Sequence, residues 1–160
     1  MSRIEHSPLA RALGRVPSGL YIVTANGPHG PLGFLGSFVQ QVGFEPPTVV
    51  VGVGADRPHL AALRSSKGFA ICVLDAASKG LMAAFYKAPP AGEDVFAGLA
   101  TARTPAGEWV LSDALAWIEC KVVGEHPAGD HVVVFGAATA GALTREGESL
   151  VHLRRNGLSY

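Results

Sequence analysis

The apolar residues of this chain fall in short runs rich in valine, isoleucine and phenylalanine, and glycine, proline and charged residues separate the runs. Such runs are typical of β-strands joined by turns, whereas amphipathic helices need apolar residues at every third or fourth position. The pattern predicts strands at residues 19–25, 33–44, 48–54, 69–74, 109–126, 131–144 and 149–155. The first two flank a turn rich in glycine and proline, which predicts a hairpin. The fold class is therefore mainly β.

Three short segments carry the signals of helices instead. Ser7 followed by Pro8 predicts the start of a helix, because serine caps free backbone amides and proline suits the first turn. Asp56 is predicted to cap a second helix, and Asp75 a third helix in the sequence AASKGLMAAFYK. Residues 88–107 contain several prolines and glycines and predict a long loop.

The charge of the chain is balanced, with 13 basic and 13 acidic residues in 160 and a formal net charge of zero. These charges are spread along the sequence, so they predict no basic patch of the kind that binds nucleic acid. No apolar run is long enough to cross a bilayer. The sequence therefore predicts one domain in a soluble, cytoplasmic protein, with neither nucleic acid nor a membrane as its partner.

The cysteines and histidines carry no signature of thiol or metal chemistry. Cys72 and Cys120 each lie in an apolar run, which favours buried free thiols over a disulfide or a nucleophile. The six histidines lack the spacing of metal ligands. We therefore expect no metal site.

The stretch 48–75 is similar in part to a dinucleotide-binding unit, since a strand, the turn Gly52-Val53-Gly54, a helix and an acidic residue follow one another. Arg57 stands where the third glycine of that motif would be, and the later strands have no helices between them. Both facts disfavour a parallel nucleotide-binding sheet, and helix capping accounts for Asp75. A glycine-bearing strand end beside a helix N-terminus and an arginine still predicts an anion site. The alternative is a solvated Arg57 next to strand-end glycines.

Six segments in order resemble the flavin reductase-like FMN-binding family: GRVPSGLYIVTA, GFLGSFVQQVGFEPPTVVVGV, DRPHLAALRSSKGFAICVL, LSDALAWIECKVV, AGDHVVVFGAATAG and LVHLRRNGLSY. The resemblance extends from about Arg11 to Tyr160, and the order and spacing of the segments are more specific than any segment alone. The family includes the small reductase components of two-component flavin monooxygenases and the C-terminal modules of some diflavin flavoproteins.

The resemblance implies a six-stranded antiparallel Greek-key split β-barrel with a few short flanking helices, formed by one FMN-binding domain over residues 1–160. It also implies a homodimer that holds one FMN per subunit near the dimer interface, with FAD as a second candidate. The composition, with 48% hydrophobic against 16% charged residues, independently favours an oligomer.

The resemblance also implies where the flavin would lie. The family lines its flavin with a stretch that is usually Thr-Ala-Ser-Ser, and here that stretch is Leu35, Gly36, Ser37 and Phe38, which keeps one hydroxyl. Backbone amides would then replace the missing hydroxyls. Gln40 is either a further polar contact or an ordinary solvent-facing strand residue.

The flavin phosphate would lie near the turn formed by Gly52, Val53 and Gly54. Arg57 and Lys87 are its expected cationic partners, because cations and helix-end amides together hold a phosphate best. Phe85 would pack near the flavin by the family pattern, although a phenylalanine at a helix end is more often part of the core.

His131, in the turn Gly129-Asp130-His131, is the candidate catalytic residue, since the resemblance implies a place for it beside the flavin and the nicotinamide pocket. The alternative is a histidine that only bonds Asp130. His152 and Tyr160 are further candidates for the mouth of the nicotinamide site.

The resemblance implies an enzyme, an NAD(P)H-dependent flavin reductase in which a hydride passes from nicotinamide to flavin N5. NAD(P)H would be its small-molecule partner, and a monooxygenase or another redox protein would accept electrons from the reduced flavin. The alternative is a flavoredoxin-like electron carrier, or an FMN-holding protein without efficient NAD(P)H oxidation. A dimeric barrel without a cofactor is a third alternative. No motif separates NADH from NADPH.

Overall fold

The computed structural model describes residues 7–87, 89–90 and 92–160. The strands in chain order are β1 Tyr21–Gly27, β2 Gly30–Gly36, β3 Val39–Phe44, β4 Pro47–Gly54, β5 Gly68–Val73, β6 Thr101–Arg103, β7 Trp109–Leu111, β8 Ala116–Ala128 and β9 His131–Leu143. The helices are α1 Pro8–Leu13, α2 Pro58–Ser66 and a 3₁₀ helix at Lys79–Phe85. The prediction of a mainly β fold with short helices is confirmed.

The main sheet is antiparallel throughout, with strands in the order β2-β1-β5-β8-β9-β4-β3. The two edge strands, β2 and β3, are consecutive in the chain, and only Ser37 and Phe38 join them. A flat sheet of this width would hold its edges about 29 Å apart, whereas a two-residue link spans at most about 11 Å. The sheet therefore curls into a barrel whose edges meet at Phe38. It has seven strands rather than the predicted six.

Alternation along β4 separates the inside of the barrel from its outer face. Val49, Val51 and Val53 are buried, whereas Gly52 and Gly54 point the other way. The inner side chains of β4 join those of the neighbouring strands and the buried leucines of α2 in one apolar core. Burial of this core is the main stabilising contribution.

A second apolar cluster covers the outer face of β1 and β5. It joins Ile22 and Cys72 of these strands to Met82 of the 3₁₀ helix and Leu111 of β7. The 3₁₀ helix and the short β6–β7 hairpin therefore act as a cover for this side of the barrel. The cover uses part of the segment 88–107, which was predicted to be a loop but contains β6.

Three predicted strands are wrong in their extent. The run 109–126 is divided between β7 and β8, because a turn at residues 112–115 separates the short hairpin from the main sheet. The run 33–44 is divided between β2 and β3, because the chain leaves one edge of the sheet before Ser37 and joins the other edge after Phe38. The run 149–155 forms only isolated bridges to other segments. Its apolar residues Val151 and Leu153 are exposed, so no sheet face buries them.

The predicted helix caps are also corrected. Arg57, and not the acidic residue before it, is the N-cap residue of α2, and its side chain makes no cap bond. Asp75 precedes a turn rather than the helix itself, and its carboxylate accepts from the Ser78 backbone N–H at 2.9 Å. The same carboxylate pairs with Arg145 at 2.6 Å. Asp75 therefore anchors a turn to a distant segment through an ion pair.

Both cysteines are buried, as predicted, and both are free. Burial raises the pKa of the Cys72 thiol to about 11 and that of the Cys120 thiol to about 12. Both thiols are therefore protonated near neutral pH. Within the described residues, no group of histidine, cysteine and carboxylate side chains is arranged to hold a metal ion. No helix in that part of the chain combines the length and apolar character needed to cross a membrane.

Candidate functional site

The outer face at the ends of β4 and β9 carries three ring side chains, which we call the aromatic cluster: Phe38, His131 and Tyr160. The ring centroids of Phe38 and His131 are 5.2 Å apart with an interplanar angle of 69°, an edge-to-face contact. The Tyr160 ring lies 5.8 Å from Phe38 and 5.9 Å from His131. Rings attract one another at these separations. Phe38 is 36% exposed and Tyr160 76%, so a ligand can reach the cluster from solvent.

Gly52 fixes the position of Phe38. The Phe38 carbonyl accepts a hydrogen bond from the Gly52 N–H at 2.8 Å. A Cβ on residue 52 would lie 2.9 Å from the Phe38 Cβ, closer than real side chains approach. Only glycine therefore lets Phe38 lie against β4. Gly52 was predicted to let a ligand approach the backbone. In the structure it makes room for the Phe38 ring.

His131 begins β9 directly opposite Gly54, the last residue of β4. The Ala55 N–H donates to the Asp130 carbonyl at 3.0 Å and anchors the turn that precedes the histidine. The Asp130 carboxylate lies 2.7 Å from His131 Nδ1, and the Tyr160 hydroxyl lies 2.5 Å from Nε2. A carboxylate only accepts, so Nδ1 carries a proton and Nε2 of the neutral ring accepts from the tyrosine hydroxyl.

The surroundings of the cluster shift two pKa values. The hydrogen bond with His131 lowers the pKa of the Asp130 carboxyl. Burial raises the pKa of the Tyr160 hydroxyl, and the nearby charges of Arg154 and Arg57 offset part of this effect. Asp130 is therefore a carboxylate and Tyr160 a protonated hydroxyl near neutral pH, which agrees with the donors and acceptors assigned above.

Two arginines lie beside the aromatic cluster. Arg57 lies over Gly54, where a Cβ would be 2.9 Å from the Arg57 Cγ. The guanidinium carbon of Arg154 lies 4.8 Å from the Phe38 ring centroid, a cation–π contact. The N-terminus of α2, which begins immediately after Arg57, adds a positive dipole end. Positive potential and ring surfaces thus occur together at one opening.

These residues fit a planar aromatic ligand with an anionic tail. Phe38 and Tyr160 present ring surfaces to solvent beside the end of β4. Arg57 and Arg154 supply fork-shaped donors suited to phosphate oxygens. FMN combines a planar ring system with a phosphate, so the residues present suit FMN.

Comparison with protein families decides the classification. Residues 13–157 match the flavin reductase like domain. The chain belongs to this flavin reductase family. Membership of the family confirms the resemblance inferred from the six sequence segments. The matched residues cover nearly the whole chain.

Three relatives illustrate the breadth of the flavin reductase family. Diflavin flavoprotein A 1 of Synechocystis is 36% identical over 96% of this chain, but the match covers only 27% of that protein. FMN reductase (NADH) RutF of Methylorubrum extorquens is 29% identical over 95% of this chain and 74% of its own length. The NADH:FAD oxidoreductase SgcE6 of Streptomyces globisporus superposes with a TM-score of 0.82 at 26% identity, covering 91% of this chain and 86% of its own. The chain thus spans about a quarter of the length of the diflavin relative.

Arg154 is the residue at the cluster that sequence reasoning missed. It belongs to a segment that α1 holds in place, since the Gly157 N–H donates to the Ala10 carbonyl at 2.8 Å. A Cβ on Gly14 would lie 2.8 Å from the Arg154 carbonyl oxygen. Gly14 and Gly157 are the sequence signal of this backbone contact, but nothing in the sequence shows that the two segments lie together.

Three other residues that were predicted to contact the flavin have side chains that pack in or against the protein core. Phe85 is buried in the second apolar cluster with its ring 5.9 Å from that of Phe96, and Leu35 packs against the same cluster. The structure thus favours the core alternative stated for Phe85. Val53 is buried inside the barrel, so it offers a ligand only its backbone.

The remaining predicted residues lie around the cluster or away from it. Gly36 and Ser37 precede Phe38 in the chain. Gln40 is exposed on β3 and donates to the backbone carbonyl of the next residue at 3.1 Å. Lys87 is exposed beyond the 3₁₀ helix, and His152 bridges to another segment through its backbone. Among the contacts of the described residues, none joins the side chain of Lys87 or His152 to the aromatic cluster.

Proposed function

We propose that this chain binds FMN at the aromatic cluster and acts as an NAD(P)H-dependent flavin reductase. The observation that carries the proposal is the convergence of exposed rings with two arginines at the opening beside β4. Family membership supports it, as does the similarity to FMN reductase (NADH) RutF. FAD remains the second candidate flavin, because SgcE6 is a NADH:FAD oxidoreductase.

The proposed binding mode assigns separate tasks to the rings and the cations. Phe38 packs against the flavin ring, and the backbone of β4 beside Gly52 contacts its polar edge. Arg57 and the N-terminus of α2 hold the phosphate, because a guanidinium fork and a helix dipole both favour a doubly charged anion. Arg154 adds a second cation next to the Phe38 ring.

When bound, the flavin supplies an N5 atom that accepts a hydride from nicotinamide C4. The chain then has to hold two rings in reach of one another and keep water out. His131 is suited to orient the nicotinamide, since Asp130 fixes the ring with its Nε2 atom facing the opening. The Tyr160 hydroxyl occupies that nitrogen here, so it exchanges with the carboxamide when NAD(P)H binds.

The proposed assembly is a homodimer, and the proposed acceptor of electrons from the reduced flavin is a monooxygenase or another redox protein. The edge strand β3 supports a dimer, because Val42 is 55% exposed and Phe44 88%. Exposed apolar residues at a sheet edge are typical of surfaces that pair with another chain.

Anaerobic mixing of the FMN-loaded protein with NADH, and separately with NADPH, tests the proposed activity. We expect the flavin absorbance to bleach rapidly with at least one of the two nucleotides. Persistence of the oxidised spectrum with both would overturn the reductase assignment. Failure of the protein to take up FMN at all would overturn the flavin site as well.

An electron carrier is the second candidate function. The similarity to a segment covering 27% of Diflavin flavoprotein A 1 favours it, since the chain corresponds to one part of a larger flavoprotein there. In that case the FMN would stay bound and be reduced by a protein or by dithionite, but not by free NAD(P)H. The same mixing experiment therefore separates the two candidates.

A further inference from the structure

A separate concave site lies where α1 meets the segment that follows Val151. Its volume is about 520 Å³, and it is lined by Pro8, Arg11, Ala12, Arg15 and Arg155. We call it the arginine cavity. It shares no lining residue with the aromatic cluster. Three exposed arginines line it beside two apolar residues, and no acidic residue of the described part of the chain is among its lining.

The three arginines come from two parts of the chain. Arg11 and Arg15 are four positions apart in α1 and the turn that continues it, so they lie on one face. Arg155 comes from the far end of the described chain. Convergence of these charges therefore depends on the tertiary contact between α1 and the segment 154–157.

That contact is made backbone to backbone. The Gly157 N–H donates to the Ala10 carbonyl at 2.8 Å. A Cβ on Gly157 would lie 2.0 Å from the Leu13 Cβ, and one on Gly14 would lie 3.1 Å from the Arg155 carbonyl oxygen. Two glycines thus allow a close approach that holds the backbone at Arg155 against the end of α1.

The charge arrangement has no complete explanation within the described structure. Arg11, in the last turn of α1, interacts favourably with the helix dipole. Arg15 donates one bond, from Nη2 to the Arg154 carbonyl at 3.1 Å, which leaves other donors of its guanidinium free. Neither contact accounts for bringing Arg155 to the same cavity, because like charges repel when they converge. An anionic ligand bound between the arginines would offset this repulsion with its own attraction to each of them.

We propose that the arginine cavity binds a small molecule carrying a diphosphate group. Several charged oxygens on adjacent phosphorus atoms match several guanidinium forks better than a single carboxylate does. The volume is in the range of small-molecule sites, and Pro8 and Ala12 form an apolar wall for the rest of a larger ligand. Free pyrophosphate and a nucleoside diphosphate share this chemistry. The proposal does not depend on the flavin assignment.

Titration calorimetry of the purified protein with pyrophosphate at fixed ionic strength tests the proposal. The variants are the double substitution R11Q/R15Q and the single substitution R155Q. The control is K79Q/K121Q, which removes two positive charges from exposed positions outside the cavity. We expect saturable binding by the wild type and the control, weakened about tenfold or more in both arginine variants. R155Q keeps Arg11 and Arg15, so it provides the test if R11Q/R15Q does not fold.

Absence of saturable binding by the wild type would overturn the proposal, as would equal weakening in the lysine control, which would show a non-specific charge effect. Parallel titrations with ADP distinguish the two sources of diphosphate. Tighter binding of ADP than of pyrophosphate, lost in R155Q, indicates a nucleotide that uses the apolar wall. Tighter binding of pyrophosphate, lost in the same variant, indicates the free anion.

Discussion

The Tyr160 hydroxyl lies 2.5 Å from His131 Nε2, while the Asp130 carboxylate accepts from the other ring nitrogen at 2.7 Å. The imidazole is therefore fixed from both sides in one tautomer. This places its accepting nitrogen at the opening where the proposed nicotinamide would enter. The Tyr160 hydroxyl thus lies where the carboxamide of the nicotinamide is expected to bind.

Replacement Y160F tests the role of this bond. We expect the KM for the nucleotide to fall about two- to tenfold, since a hydrogen bond of this type contributes about 0.5–1.5 kcal/mol and would no longer be given up when the carboxamide binds Nε2. Steady-state kinetics with the matched variant Y86F as control measures the effect, because Tyr86 is also exposed but lies outside the cluster. Nitrogen NMR of the His131 ring provides a readout that needs no catalysis: we expect mixed tautomers in the variant. An unchanged KM together with an unchanged tautomer would contradict this role.

Replacement R57A tests the proposed phosphate contact. The variant should lose FMN affinity about ten- to a hundredfold and keep its affinity for riboflavin, which has no phosphate. Fluorescence titration with both flavins measures the difference. Arg64, exposed and paired with Glu125 at 2.6 Å, provides the matched control in R64A. Equal losses of FMN and riboflavin would show that Arg57 does not bind the phosphate.

Replacement G52A tests whether the close approach of Phe38 to β4 builds the site. A Cβ at this position meets the Phe38 Cβ at 2.9 Å, so the ring has to move. We expect the free energy of unfolding to fall by about 1–3 kcal/mol and FMN binding to weaken. Gly124 also lies in a strand, but a Cβ added there would meet no atom within 4 Å, so G124A gives the control. A G52A protein with wild-type stability and FMN affinity would rule out this packing role.

A buried carboxylate predicts how stability depends on pH. Burial raises the pKa of Glu108, and the charge of Glu119 adds to this effect, while Arg103 lowers it. The folded state therefore holds the Glu108 proton more tightly than the unfolded state does. It follows that the free energy of unfolding falls as pH rises from the ordinary carboxyl value of 4.5 through the raised value.

The side chain at position 108 cannot ionise in E108Q, so this variant should not show the decrease in the free energy of unfolding. Its stability relative to the wild type is expected to increase with pH across that window and then to stay constant. Denaturant unfolding at several pH values measures the trend, with E146Q at an exposed position as the control. Parallel curves for E108Q and the wild type would show that Glu108 does not titrate differently on folding.

The sequence predicted those features that depend on neighbouring residues. The apolar run 48–54 located β4, and the turn at residues 127–130 located the β8–β9 hairpin. The resemblance singled out Phe38, His131 and Tyr160 from distant segments, and the structure brings them into contact. Their roles in binding and catalysis stay predictions.

Features that depend on contacts between distant segments could not be predicted. The division of the run 33–44 at Phe38 follows from barrel closure, which no local pattern encodes. Arg154 reaches Phe38 only because α1 holds the segment around it. Asp75 has the sequence of a helix cap, yet its pairing with Arg145 depends on a loop that comes much later in the chain.

A crystal structure of the protein with bound FMN tests the central claim most directly, namely that the aromatic cluster is the flavin site. The account predicts the flavin ring in van der Waals contact with Phe38, beside His131, and the phosphate within hydrogen-bonding distance of Arg57. Flavin bound instead on the side of the barrel covered by Phe85, with the aromatic cluster free of ligand, would contradict it.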